Sequence, residues 1–256
     1  MEYNSLSTDF TPGEEKALRR RLPTVMSGWH VRHYDLVEKY EDELREMFAL
    51  TDGRQRKVDE TFAEMTGEGS STIGLHVRRG DYKTFMGGRY MLDDEQYIDA
   101  VKRTMRLKEN ARWTVIVCTN DDSLDIEHYR QALEGAEVRL SKGNAWTDLG
   151  LLAKCDYVVG VPSSFTLVAT LYGHARLHWL SKEDTANFTE ESFYGFVTGL
   201  RTMDGWFGGD EVRPRRLLFL ISRLLDGGID TVLLQYLDMF AKDKKYEVTL
   251  AIGCNM

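Results

Sequence analysis

Five short apolar runs, each followed by a stretch of helical periodicity, constrain this chain more than any other feature. They are STIGLHV (71–77), WTVIVCT (113–119), AEVRL (136–140), DYVVGV (156–161) and ARLHWL (175–180). Runs this short, rich in Val, Ile and Leu and bounded by polar turns, read as buried strands rather than helices. Between them the spacing predicts helices over about 93–108, 123–133 and 146–154, and a further one over SSFTLVATLYG that closes at Gly173. Strands alternating with helices imply an α/β fold, a Rossmann-like parallel sheet with helices on both faces. Ahead of it the pattern predicts a short basic helix from Glu14 to Leu22. An amphipathic helix follows from Asp35 to Leu50, carrying Leu36, Val37, Tyr40, Leu44, Met47 and Phe48 on one face. A polar helix over about 55–66 ends at Gly67.

In an open parallel sheet, ligands lie beyond the carboxyl ends of the strands, and the chemistry-bearing residues cluster there. The first strand runs into His76-Val77-Arg78-Arg79-Gly80-Asp81. Side chains two apart on an extended chain share a face, so His76 and Arg78 look into one space and Arg79 looks the other way. The planar fork of arginine suits a phosphate, to which it gives two parallel hydrogen bonds. Asp81 can pair with Arg79 and hold the loop in shape. A surface Arg–Asp pair beside a buried histidine would explain the same run without any ligand. After the fourth strand, Pro162-Ser163-Ser164-Phe165 reads as a helix start with a serine cap. Such a terminus can be a simple structural cap or a phosphate site. Asp121 and Asp122, after the second strand, can touch a ribose or cap the next helix. Asp148 lies among Trp146, Leu149, Leu151 and Leu152 and needs a partner there, either as a helix-start cap or in a salt bridge.

Composition narrows the partners. A formal charge of −8 argues against nucleic acid, which wants a broad basic surface; a small anionic ligand needs only a few positive groups in one pocket. No stretch is long and apolar enough to span a membrane, and the N-terminus lacks the pattern of a signal peptide. The three cysteines (Cys118, Cys155, Cys254) sit in or beside apolar runs, which suits buried thiols and a cytoplasmic location. Asp121-Asp122 is not an Asp-x-Asp metal site, so neither a metal nor another cofactor is expected. No G-x-x-x-x-G-K-[ST] phosphate loop occurs.

Together these residues resemble a known family. HVRRGDY is similar to the His-x-Arg-Arg-x-Asp motif shared by α1,2-, α1,6- and protein O-fucosyltransferases. The succession of DDEQYIDAVKRTM, CTNDD and DLGLLAKCDYVVGVPSSFTLVATLYG resembles the bacterial α1,2-fucosyltransferase-like proteins of surface polysaccharide synthesis, over about residues 29–185. The resemblance implies the donor half of a GT-B glycosyltransferase that takes GDP-fucose and inverts without a metal. By it, His76 and Asp148 recognise guanine, and Arg78 binds the β-phosphate and stabilises the charge on departing GDP. Ser163 and Ser164 add phosphate contacts, while Arg79 and Asp81 support the loop. The other partner is a glycan acceptor. The family's acceptor half normally comes first; it is not evident in the roughly seventy residues before HVRRGD, and is expected from elsewhere. The alternative is a nucleotide-binding or scaffold module that does not catalyse transfer.

A second resemblance follows Trp206-Phe207-Gly208-Gly209. Residues 215–252 read as strand, Gly227-Gly228 turn, helix and strand, similar to the opening β-α-β of a retaining GT-B glycosyltransferase. The expected division is therefore an N-terminal segment (1–28), a GDP-sugar-binding domain (29–205), a linker (206–214) and an incomplete β-α-β unit (215–256). So short a unit buries little core of its own, and should pack on the first domain, self-associate or be labile.

Overall fold

The structure, a computed structural model, describes residues 34–207, 215–221 and 246–252. It divides into two compact units, Val37–Trp206 and the remainder. The expected helix at 14–22, the Gly227-Gly228 turn and the helix after it lie outside the described residues.

Val37–Trp206 is built on a parallel sheet whose five strands lie in the order β3-β2-β1-β4-β5. The strands are β1 (Ser71–Val77), β2 (Trp113–Thr119), β3 (Ala136–Leu140), β4 (Tyr157–Gly160) and β5 (Arg176–Trp179). Every residue of β4 and all but the ends of β1 and β2 are buried, as a strand covered on both faces requires. The helices are α1 (Tyr34–Lys39), α2 (Glu41–Met47), α3 (Asp52–Met65), α4 (Asp94–Met105), α5 (Ile126–Ala132), α6 (Ala145–Lys154), α7 (Ser164–Tyr172) and α8 (Phe196–Phe207). α4 packs on β1 and β4 with α5 beside it, while α6 and α7 pack together against β1, β2 and β5. Strand order reverses between β1 and β4, so right-handed crossovers send α4 and α5 to one face and α6 and α7 to the other. The α6–α7 face holds the main core, where Ile116, Cys118, Leu152, Val158, Leu177 and Trp179 meet side chains of α8 such as Leu200 and Met203.

Two elements depart from expectation. The helix over 35–50 is two helices broken at Tyr40 (φ −115°, ψ 25°). Its apolar residues Tyr40, Met47 and Phe48 are exposed. The contact is made by Arg45 instead, which donates to the carbonyls of Leu171 and Gly173 at 2.6 and 2.5 Å; a helix end leaves such oxygens open. The other departure is α8, whose apolar residues close the core with no strong start signal in the sequence.

In the second unit, β6 (Arg215–Ile221) and β7 (Tyr246–Ile252) pair in parallel with Arg215 opposite Tyr246. Parallel strands need a crossover between them; the residues between these two lie outside those described. Among the described residues no helix is long and apolar enough to cross a membrane.

Candidate functional site

Strand order reverses between β1 and β4, and the loops that follow these two strands carry Arg78 and Ser163. Such a switch point is where an open α/β sheet leaves a crevice. His76 lies opposite Gly160 across the β1–β4 ladder. A Cβ on Gly160 would stand 2.8 Å from the His76 carbonyl oxygen and 3.1 Å from its Cβ, so glycine is what lets the imidazole occupy this position. The ring packs against Phe165 of α7 at 5.1 Å between centroids. It is buried, and its Nδ1 has no hydrogen-bond partner. Burial, reinforced by the Arg78 charge, pulls its pKa down from 6.5 to about 4, so the ring is neutral at pH 7.

Arg78 follows the strand and stands over the Tyr82 ring, 4.7 Å from its centroid. Its Nε and Nη2 donate to the two carboxylate oxygens of Asp81 at 3.1 and 2.8 Å, and its Nη1 donates to Ser163 Oγ at 3.2 Å. Ser163 is itself the cap of α7, accepting from the Phe165 N–H at 3.2 Å. Tyr82 donates to the Pro162 carbonyl at 2.5 Å, which ties the two loops together. Ser164, one residue on, is exposed in the first turn of α7. Of the two serines the buried one is thus spent on cap and guanidinium, and the exposed one faces outward with the helix N-terminus.

The expected Asp81–Arg79 pair does not form. Arg79 alternates to the α4 side, where Asp94 accepts from its Nη2 at 2.5 Å and Asp121 from its Nη1 at 3.3 Å. Its backbone N–H donates to Asn120 Oδ1 at 3.0 Å, and Tyr129 adds a hydroxyl bond to Asp94. Asp81 lies within reach of Arg78, which lowers its carboxyl pKa.

Asp121 does not cap the following helix. It accepts from the Ser123 N–H and hydroxyl at 3.1 and 2.6 Å, and the cap of α5 is Asp125. Asp122 is exposed. Asp148 is likewise neither a cap nor, among the described residues, part of a salt bridge: Asn144 caps α6, and Asp148 accepts from Ser141 Oγ at 2.5 Å and from the Cys118 thiol. Burial raises its pKa, against the pull of those two donors. Cys118 pairs with His76 across β1 and β2, so Asp148 stands one strand over from the imidazole, on the same face.

The structure therefore brings His76, Arg78 and Ser163 together at the β1–β4 crevice, with Ser164 at its rim and Asp148 alongside. It sets Arg79 and Asp121 on the opposite face. Tyr82, Asn120, Asp94 and Tyr129 were not singled out by sequence; Tyr82, Asp94 and Asn120 fall inside the family-like runs, whereas Tyr129 carries no motif signal.

A family model described as glycosyl transferase family 11 matches residues 17–190. No curated protein gives a significant sequence match. Among solved structures, the chain is similar to NodZ α1,6-fucosyltransferase soaked with GDP-fucose, at 22% identity and TM-score 0.42, covering 57% of this chain and 51% of that one. For fucosyltransferase NodZ from Bradyrhizobium the values are 22% and 0.40, covering 52% and 46%. For POFUT1 in complex with GDP they are 12% and 0.38, covering 48% and 44%. The chain spans about half the length of these structures.

Proposed function

Because the chain belongs to glycosyl transferase family 11, we propose that Val37–Trp206 holds a GDP-sugar donor, GDP-fucose by the family's pattern, for inverting transfer to a glycan acceptor. One observation carries this reading: the Arg78 guanidinium stands at the strand-order switch point, 3.2 Å from the serine that caps α7. Guanidinium and helix N-terminus both favour the negative charge that grows on GDP as the sugar leaves. Arg78 is already oriented by Asp81, Tyr82 and Ser163, so little ordering remains to be done when charge develops. A positive group so placed supplies what a divalent ion would otherwise supply, and the proposed transfer uses none.

The nucleoside end follows from the neighbouring groups. The half-buried carboxylate of Asp148, bonded to a hydroxyl and a thiol, can accept from the paired N–H donors of guanine. His76 presents an unpartnered, uncharged ring nitrogen beside it. Ser164 and the first N–H groups of α7 meet the phosphates. Arg79 holds the β1 loop against α4 and the β2 loop, and does not meet the donor. In the polysaccharide setting suggested by sequence, the acceptor is a surface glycan precursor.

The test is a thermal-shift panel of GDP, UDP and GDP-fucose. At a hundred times its Kd, GDP should stabilise the protein by about 2.7 kcal/mol, UDP should do much less, and Arg78→Ala should remove most of the GDP shift. Equal stabilisation by GDP and UDP sinks the donor assignment. GDP binding with no release of GDP from GDP-fucose, glycan acceptors supplied, would favour a non-catalytic module.

A further inference from the structure

Tyr82 is buried, at 4% exposure, in a turn whose neighbouring residues Asp81 and Lys83 face solvent. The turn, Gly80–Lys83, closes with the Lys83 N–H donating to the Arg79 carbonyl at 3.2 Å. On the β2 side it lies against Asn120, whose Nδ2 a Cβ on Gly80 would meet at 2.9 Å. Toward α7 it sends the Tyr82 side chain, which ends at the Pro162 carbonyl. Phe85 and Tyr90 pack on the ring, with centroids 5.2 and 6.4 Å away. Burial raises the pKa of the phenol, so its hydroxyl stays a donor at neutral pH.

The two ends of this side chain meet the candidate site from different sides. The guanidinium of Arg78 lies over its ring, 4.7 Å from the centroid. Its hydroxyl donates at 2.5 Å to the residue just before Ser163, the cap of α7. One side chain therefore spans from the arginine to the start of the helix. The manner of the contact with Arg78 is also distinct. Asp81 and Ser163 hold the guanidinium by its edge, through Nε, Nη1 and Nη2, and an anion would draw on those same donors. An aromatic ring holds a guanidinium by its face and consumes none of its N–H groups. The Tyr82 contact can persist unchanged when a phosphate takes the edge.

We infer that Tyr82 is the positioning residue of the phosphate site: it sets Arg78 at a fixed spacing from the N-terminus of α7, so that both meet the terminal phosphate of the nucleotide. This rests on the donor reading above and deepens it, naming the group that makes the site prefer a nucleoside diphosphate to a monophosphate. The ring supports the guanidinium and the hydroxyl fixes the spacing. Charge-assisted hydrogen bonds need N···O distances of about 2.7–2.9 Å, so slippage of about 1 Å between the two loops forfeits one. Phenylalanine here keeps the support and releases the spacing, which fixes the test.

The measurement is the ratio of the Kd for GMP to the Kd for GDP, by calorimetry on the full chain; GMP lacks the phosphate proposed to lie on Arg78. Tyr82→Phe should lower that ratio about tenfold, as loss of one charge-assisted bond does. Its Kd for GMP should change by less than about twofold, which also shows that the variant is folded. In an Arg78→Ala background the same substitution should change the Kd for GDP by less than about twofold, because the group it positions is gone. A merely structural role would weaken both nucleotides alike and act undiminished without Arg78. Equal losses for GMP and GDP, an unchanged ratio, or a full effect in the Arg78→Ala background overturns the positioning role while leaving the nucleotide site standing. An unmutated chain that binds GDP no more tightly than GMP brings down the Arg78 phosphate contact and the positioning role together.

Discussion

Arg78 and Arg79 are neighbours in sequence and opposites in surroundings. The Arg78 side chain is 29% exposed and its carboxylate partner, Asp81, 55%. For Arg79 the side-chain value is 13%, and its partners Asp94 and Asp121 are at 33% and 19%. One residue of alternation at the end of β1 separates a cation whose partner a ligand can displace from a cation committed to tying β1 to α4 and the β2 loop. Identical chemistry is a proposed donor contact on one face and a fastening on the other. What the difference teaches is that a double-arginine motif does not imply two ligand contacts.

The sharpest way to break this contrast is to remove each arginine in turn. Arg79→Ala leaves two half-buried carboxylates facing each other with no cation between them, and should cost about 3 kcal/mol in urea unfolding. Arg78→Ala removes a pair with an exposed partner and should cost less than about 1 kcal/mol, while removing most of the GDP-induced shift. Similar stability losses in both variants would erase the distinction.

The Arg78 face has a second signature, in its pH response. His76 is neutral when folded, with a pKa of about 4 against an ordinary 6.5. The unfolded chain therefore binds more protons between those values, and stability rises with pH across that window. The full change is about 3 kcal/mol, present above pH 6.5 and lost on descending toward 4. In His76→Phe this slope should vanish. An unaltered slope in the variant would place the titration elsewhere, on the Arg79 face or among surface carboxylates.

Much of this geometry was legible in the chain itself. The ends of β1, β2 and β3 coincide with the apolar runs; β1 and β2 are buried on both faces and so are largely apolar, while the edge strand β3 buries only Val138 and is the weakest run. The parallel sheet covered on both faces followed from the alternation of strands and helices, and so did the placing of His76, Arg78 and Ser163 at strand ends; the strand order did not. Partners were harder. Asp81 lies two residues from Arg79 and three from Arg78, and only the turn after Gly80 decides which it meets. Asp148 looked like a cap because it sits near a helix start, but Asn144 is the residue with extended backbone there (φ −102°, ψ 178°). Local pattern is silent on the Tyr40 break and on the positive φ of Met86.

The two serines at the start of α7 repeat the arginine contrast on a smaller scale. Ser163 is buried and serves the fold twice, accepting from the Phe165 N–H and from Arg78. Ser163→Ala should therefore cost about 1 kcal/mol of stability, as loss of a helix cap does. It should also loosen Arg78 and weaken GDP binding. Ser164 is exposed at the first helical position, where removing a hydroxyl changes stability by less than about 0.5 kcal/mol. If its hydroxyl meets a phosphate, Ser164→Ala should still weaken GDP binding several-fold, a loss read by calorimetry without any change in melting temperature of the free protein. Undiminished GDP affinity in Ser164→Ala would leave phosphate recognition to Arg78 and the backbone N–H groups of α7.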